Sequence, residues 1–587
     1  MRRKGITAEK EYVRSDRLLR KQLLHYLFPM LVTLAALSLN EFADSMMVAR
    51  LLGSDGMVIV NLGAPIMMIM AVLFTLCGTG GSVFYAISLG KNDRETAGRS
   101  FTCSIFTAVC AGLLMMVVCF VFKDSLFALP YELEDLKDTF ESYFRVLLIS
   151  APLLVPLLTF VQFLSPAGLP GSATAVNVVA SVVNIAMDYV YIHVFGMNVD
   201  GAAWATLTGY ICGLLVTIFI LVRKKPKVYI SKDVISSMRT FGNVFKQGAA
   251  DVMTQFGFAI QIAACNTVAA MYAGHDGVVS YSFCMQSLSI STIFLGALIG
   301  AYTPMIAVLH GQRDYRGEGG MLKLVLKSGT VVAAVCAAAF MIFAPWFASL
   351  YNITEGGQME LAIHAFRIFA LCVFLRGPII LYFRYLKVIG KTAYSILIGA
   401  MDGFLTLLPI VIVITQMAGI DGIWWGYAAN AALIIFFIII FNTMLAKRSK
   451  GKLRGLLLLE YDIQSETLLD VTITKDHSDI AGAGRKIQQI CEGRGIERRE
   501  AMYVGLAVEE MALYAANAKK QDSYMDVLVR SCDGDIEIDF RSVGERFDSL
   551  KLPVDEIEPN IRLLQGISDH IENEYIMGMN LVHIIIR

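Results

Sequence analysis

The stretch GSDGMVIVNL, residues 53–62, returns in altered form as GHDGVVSYSF at residues 274–283, an offset of 221. Two further pairs keep that spacing. Gly90 and Asp93 of LGKNDR match Gly311 and Asp314 of HGQRDYR, and Asp200-Gly201 of NVDGAAW match Asp421-Gly422 of GIDGIWW. Three matches at one spacing, each in a turn between apolar runs, mark an internal duplication.

The runs between these turns are hydrocarbon-like. Of 587 residues, 56% are hydrophobic, and uncharged stretches recur at 59–86, 103–122, 146–164, 203–222, 329–349 and 403–420. Each is close to the roughly 20 residues that a bilayer-spanning helix needs. A pass by length predicts about twelve spans: 24–51, 57–86, 98–122, 140–165, 172–195, 201–222, 245–272, 278–309, 324–350, 360–388, 392–417 and 421–446.

The connecting segments alternate in charge. The N-terminus, KNDRETAGR (91–99), RKKPKVYISKDVISSMR (223–239), GQRDYRG (311–317), the turn from Lys387 to Lys391, and KRSKGKLR (447–454) are basic. The intervening GSDG, ELEDLKDTFE (132–141), NVDG, GHDG, TEGGQ and GIDG are nearly devoid of Lys and Arg. The positive-inside rule places the basic set, and with it both termini, in the cytoplasm. An even number of spans requires the same.

The predicted fold class is therefore an all-α polytopic membrane protein of two six-helix lobes, followed by a C-terminal α+β domain. The boundaries read as a cytoplasmic N-terminus (1–23), a first lobe (24–222), a linker (223–244), a second lobe (245–446), a basic linker (447–467) and a cytoplasmic domain (468–587). Six spans per repeat give parallel lobes, with a substrate site near the midplane between or within them. The net charge of zero hides an asymmetry: residues 460–587 hold 25 acidic and 14 basic side chains, against 25 and 36 in the rest. The eleven cysteines are scattered without a CxxC spacing. They read as small buried hydrophobes rather than disulfide or metal ligands.

Charges inside spans are costly and point to function. In NEFADSMMVAR (40–50), Glu41 and Asp44 are three residues apart on a helix and share a face. A desolvated carboxyl there can take up a proton from one side and release it to the other. Asn177, Asn184 and Asp188 of NVVASVVNIAMD form a second polar stripe, spaced seven and four. The second lobe carries Asp251 and Asp402, and Arg376 is a mid-span cation available to pair with one of them. The offset of 221 carries Asp44 and Asp188 onto Cys265 and Pro409, which confines the acidic machinery to the first lobe.

These motifs resemble the multidrug and toxic compound extrusion (MATE) family over about residues 20–450. FADSMMVARLLGSDGMVIVNLGAPIMMIM with SLGKNDRETAG is similar to its first two helices and following loop. NVVASVVNIAMDYVYIHVFGMNVDGAAWAT resembles its fifth and sixth helices, and LGALIGAYTPMIAVLHGQRDYRG its eighth. The resemblance implies a V-shaped cavity between the lobes and export of organic, cationic molecules against inward proton or sodium movement. It implies cation coupling at Asp44 and Asp188, with Glu41 a further coupling candidate, and the expected substrate cavity includes Asn177, Asn184, Asp251 and Asp402. The expected setting is a bacterial inner membrane, with small organic substrates and lipid as partners and no nucleic acid.

After residue 454 the pattern changes to alternating strands and amphipathic helices. LLDVTITKD, YMDVLVRS, DIEIDFRS and NLVHIIIR read as strands, with helices at HSDIAGAGRKIQQICEGRG, RREAMYVGLAVEEMALYAANAKK and near 560–571. The order resembles the histidine-kinase-like (GHKL) ATPase fold of anti-sigma-factor serine kinases. Glu509 and Glu510 stand where that family keeps its acidic position, and Gly544 fits. Tyr514 replaces the magnesium-binding Asn, Ser542 replaces the adenine-binding Asp, and EPNIRLLQG lacks the phosphate-loop glycines. Without metal ligand and phosphate cradle, phosphoryl transfer lacks its charge neutralisation. The domain reads as a non-catalytic relative that binds a cytoplasmic protein partner or acts as a sensor, with weak nucleotide binding left open, and the chain as a transporter without a cofactor. Two alternatives stay open: a lipid-linked sugar flippase of the same superfamily, and a membrane-tethered signalling kinase.

Overall fold

The computed structural model describes residues 14–122, 137–224, 229–351, 356–449, 453–455, 457–460, 465–517, 524–532, 535–544, 546–547 and 559–586. These divide into two compact units. One holds residues 23–448 with 455–458, and the other residues 1–22, 449–454 and 459–587.

The larger unit is helical. Its long apolar helices are α1 (Arg17–Gly53), α2 (Val58–Gly90), α3 (Arg94–Val121), α4 (Lys137–Leu164), α5 (Pro170–Val194) and α6 (Asp200–Arg223). A single helical segment, Val234–Gly311, follows. At 78 residues it is far longer than a bilayer is thick. Non-helical backbone at Ala273 and Gly274 breaks it, giving α7 (241–272) and α8 (275–311). Then come α9 (Tyr315–Ser349), α10 (Gly357–Val388), α11 (Thr392–Ala418) and α12 (Asp421–Arg448). Of the acidic loop expected at 132–141, residues 132–136 lie outside the described residues, and 137–141 form the first turn of α4.

The duplication is visible in the backbone. Gly53 breaks the path from α1 to α2 at φ 70°, ψ −156°, and Gly274 breaks that from α7 to α8 at φ 55°, ψ −136°. Only glycine enters that region without a Cβ penalty, so the motif glycines are fixed by the turn. Asn92 and Arg313, also 221 apart, both adopt positive φ, at 59° and 56°. Asp93 then caps α3 by accepting from the Thr96 amide at 2.9 Å, and Asp314 caps α9 by accepting from the Gly317 amide at 2.9 Å. Each cap satisfies one of the orphan donors of a helix N-terminus.

The lobes meet through glycines. A Cβ on Gly90 would lie 2.2 Å from the Val308 carbonyl oxygen, and one on Gly311 would lie 2.2 Å from that of Ile87. Those four residues are related by the 221 offset, so α2 and α8 touch reciprocally about the pseudo-twofold axis. Nearer the middle, a Cβ on Gly80 would sit 2.4 Å from the Val244 oxygen, and one on Gly248 2.4 Å from the Leu76 oxygen. Small residues allow this close backbone approach. Both contacts lie in the half of the lobes that carries the basic loops.

Three helices contain π-wound segments: 75–79 in α2, 189–194 in α5 and 401–405 in α11. Such turns shift the side chains that follow onto a new face and gather at functional sites.

The smaller unit is built on a five-stranded antiparallel sheet. Its strands are β3 (Ser465–Thr474), β4 (Tyr524–Cys532), β5 (Asp535–Val543), β6 (His570–Ile576) and β7 (Met579–Ile586), in the order β3-β4-β5-β7-β6. A two-residue pair, β1 (Leu453–Arg454) with β2 (Leu459–Glu460), precedes it. Val471, Ile473, Val527, Val529, Ile538, Phe540, Val582 and Ile584 alternate onto one face and form a core with α13 (His477–Gly493) and α14 (Arg498–Asn517). Helix α15 (Pro559–Ile567) ends earlier than expected. Residues 570–576 are a strand instead, turned into β7 by Met577 and Gly578 at φ 57° and 78°. The polar sequence HIENEYI suits the sheet edge it occupies.

The opposite face of the sheet is charged. Arg530 reaches Asp539 at 2.5 Å and Glu537 at 3.3 Å, and His583 Nδ1 meets Asp539 at 2.8 Å. The chain's own residues 14–22 also bind this unit. Arg14 lies 3.3 Å from Asp526 and 3.8 Å from Asp470, the Ser15 amide donates to Thr472 at 2.8 Å, and Gln22 donates to the Met577 carbonyl at 3.3 Å.

Burial alone would disfavour a charged imidazole at His583, but the hydrogen bond to Asp539 outweighs it and raises the histidine above its ordinary 6.5. Burial would likewise raise Asp539, yet the His583 hydrogen bond and the Arg530 charge hold it below the ordinary carboxyl value. The histidine's contribution to stability is therefore complete below its unfolded pKa and is lost as pH rises through the raised folded value. The aspartate's contribution is present above its unfolded pKa and is lost as pH falls through the depressed folded value. In calorimetry of the full-length protein, the melting-temperature gap between wild type and His583→Ala should be largest near about pH 6 and shrink by about pH 9. A gap independent of pH would remove the pair from the unit's stability.

Candidate functional site

The first lobe brings Asp44 of α1 and Asp188 of α5 together. Asp188 ends the α-helical part of α5, immediately before the π turn, and is fully buried. Pro29 lies within α1, and its carbonyl accepts from the hydroxyls of Thr33 at 3.0 Å and Thr174 at 2.8 Å. The bond from Thr174 ties α1 to α5. Helix α6 closes in at Gly209, where a Cβ would lie 2.7 Å from the Ala180 oxygen and 3.2 Å from the Asn184 Cβ. Asn184 then donates to Thr206 Oγ1 across that contact at 3.3 Å.

Asp44 Oδ1 and both carboxyl oxygens of Asp188 are buried with no donor reaching them among the described residues. The two carboxyls are within hydrogen-bonding reach of each other. Two carboxylates are acceptors only, so this contact is satisfied when a proton lies between them. Such a dyad titrates as one unit. Asn40, one turn before Asp44, also presents a buried carbonyl oxygen without a donor. Tyr143 of α4 and Tyr210 of α6 stand within electrostatic reach of Asp44.

The other predicted residues are placed differently. Glu41 is exposed, although it is only three positions from Asp44. Asn177 is half-buried and spends its amide on the Ala173 carbonyl of its own helix at 3.0 Å. Asp402, in the π turn of α11, receives both Nε and Nη2 of Arg376 on one oxygen, at 3.0 and 2.7 Å. Asp251 of α7 receives Arg384 on one oxygen, and on the other Lys387 Nζ at 2.5 Å and Thr79 Oγ1 at 2.9 Å. Both acids of the second lobe are thus neutralised by cations from α10.

Where the repeat would place a second acid, the second lobe has a neutral network. Gln261 and Cys265, the counterparts of Asn40 and Asp44, surround Tyr427. Gln261 donates to the Tyr427 hydroxyl at 2.8 Å, Tyr281 shares a hydrogen bond with it at 2.8 Å, and Tyr427 donates to Cys265 Sγ at 3.6 Å. The polar partners Tyr143, Thr206, Tyr210, Arg384 and Thr79 are absent from the sequence-based site. Only Arg384 and Lys387, as charges at a span end, carried a signal that composition could show.

In the smaller unit, Glu509 and Glu510 are half-buried on α14. Burial, with the neighbouring Glu509 charge, pushes the Glu510 carboxyl up. Tyr514 is a core residue, its ring 5.0 Å from that of Phe547. Ser542 is fully buried in β5, and the Gly544 amide donates to the Gly578 carbonyl at 3.4 Å. Asp548 and most of the segment before α15 lie outside the described residues.

Residues 29–190 match the MatE family model. The Multidrug export protein MepA of Staphylococcus aureus is 21% identical over 427 residues, covering 71% of this chain and 94% of that protein. The protein of the same name from Staphylococcus saprophyticus is 21% identical over 428 residues with the same coverage. Among solved structures, an outward-facing multidrug resistance MATE family transporter of the MOP superfamily superposes with a TM-score of 0.68. It covers 75% of this chain and all of that one at 21% identity. A MOP superfamily transporter from Pyrococcus furiosus, described as having a binding pocket of reverse polarity, gives a TM-score of 0.67 over 73% and 96% of the two chains, also at 21% identity. These relatives are named as multidrug exporters or as MATE and MOP superfamily transporters, and the larger unit shares the fold of the solved ones.

Proposed function

We propose that this protein is a secondary active exporter of organic cations, driven by protons moving inward. The observation that carries the reading is the Asp44–Asp188 pair, in which Asp44 Oδ1 and both Asp188 oxygens are buried and no donor reaches them among the described residues; a proton shared between the carboxyls satisfies the contact. Relatives named as multidrug exporters support the direction and breadth of transport. The basic loops put the glycine-closed half of the lobes on the cytoplasmic side. The dyad then accepts a proton from outside, and release to the cytoplasm leaves a charge that a cationic cargo can replace. Competition for one acidic pair is sufficient for antiport, because cargo and proton cannot both be bound.

The flippase alternative needs free cations for a lipid pyrophosphate. Arg376, Arg384 and Lys387 are instead engaged by Asp402 and Asp251. The signalling alternative needs a metal ligand where Tyr514 packs in the core. The C-terminal unit is accordingly assigned a regulatory role, with a cytoplasmic protein as partner.

In vesicles, Asp44→Asn and Asp188→Asn should each abolish efflux of a cationic dye driven by a pH gradient, with the protein still inserted. Undiminished efflux in either variant removes that residue from coupling. Efflux that follows a sodium gradient with the pH gradient collapsed overturns the proton as the driving ion. ATP hydrolysis by the purified full-length protein should not change on Glu510→Ala. A turnover that this substitution eliminates would make the C-terminal unit an ATPase.

A further inference from the structure

The strongest unexplained feature is the buried ionic cluster where the lobes touch. Asp251 and Lys387 are both about 2% exposed, although a buried charge is costly without compensation. Lys387 and Arg384 come from α10, in the same lobe as Asp251. Thr79 comes from α2, in the other lobe, and donates to the Asp251 oxygen that also holds Lys387. One turn away, Gln255 Nε2 of α7 donates to Thr75 Oγ1 of α2 at 3.1 Å. Both threonines belong to the π turn 75–79, and around them the helix backbones meet at Gly80 and Gly248. These two hydrogen bonds across the lobe interface thus sit beside the point where glycines let the backbones meet.

The Thr79 hydroxyl has one hydrogen and two acceptors. It lies 2.9 Å from Asp251 Oδ2 and 2.6 Å from the carbonyl oxygen of Thr75 in its own turn. We propose that Thr79 and Asp251 form a latch between the lobes on the cytoplasmic side. Closed, the hydroxyl points to the carboxylate. Open, it falls back on the Thr75 carbonyl, so α2 departs without leaving an orphaned donor. Lys387 and Arg384 keep the carboxylate charged and in place in both states. The acid of the second lobe therefore acts on lobe position, while the acids of the first lobe carry the proton. Asp251 and Thr79 are positioning residues: they touch neither cargo nor coupling ion. The proposal rests on alternating access between the two lobes.

The test measures distance across the cytoplasmic ends. Glu95 and Arg316 are exposed, start α3 and α9, and are related by the repeat offset. Spin labels carried there by non-natural amino acids avoid the eleven native cysteines. In detergent or nanodiscs, without substrate or gradient, Thr79→Val should raise the ratio of long to short distances about tenfold. That is the equilibrium change expected for losing one hydrogen bond to a charged group. Thr79→Ser, which restores the donor, should return the wild-type distribution. An unchanged distribution in Thr79→Val overturns the latch, as does an equal shift in Thr79→Ser. Should the valine variant fail to insert, Thr79→Ala removes the same donor with less bulk. The readout needs no transport, so a failed latch is separable from a failed efflux reading, which the Asp44→Asn assay decides independently.

Discussion

In hydrocarbon a backbone has no hydrogen-bond partner but itself, and this constraint shapes every part of the larger unit. The chain answers with helices of 24 to 37 residues, and with one longer segment that a glycine breaks into two. Departures from α-helix are therefore few and placed with purpose. Gly53 and Gly274 reverse the chain at span ends. The three π turns lie within spans, and each adjoins a polar group that faces another helix: Thr79, Asp188 and Asp402.

The same constraint applies to charge, and the lobes meet it in different ways. In the first lobe two acids face each other, and only a proton can reconcile them. In the second lobe Asp402 and Asp251 have resident cations from α10, Arg376 for the first and the Lys387–Arg384 pair for the second. At the position equivalent to Asp44, a thiol, an amide and two phenols form an uncharged network. A duplicated scaffold thus sets acids against each other in one half and against cations in the other.

Much of the fold was legible because local chemistry demanded particular residues. A left-handed turn requires glycine and a helix start prefers aspartate, so the repeat survived in Gly53/Gly274 and Asp93/Asp314 where the apolar spans between them diverged. Span number followed from length. The site was legible only in part. Asp44 and Asp188 stand out as acids among apolar residues, but Tyr143, Thr206 and Tyr210 are ordinary in composition and join them only through folding. The pairing of Asp251 with Lys387 spans 136 residues of sequence, and nothing local announces it. In the C-terminal unit, HIENEYI was hidden because an edge strand needs few hydrophobic residues, and Met577-Gly578 is a less recognisable turn than Asn-Gly.

The cluster around Asp251 contains two cations and one anion. It therefore leaves surplus positive potential beside a close contact between the lobes. Like the fixed charges that bar ions from selective pores, this surplus repels hydronium and organic cations alike. Where the lobes approach closely, electrostatics thus adds to the touching glycines as a barrier to cations.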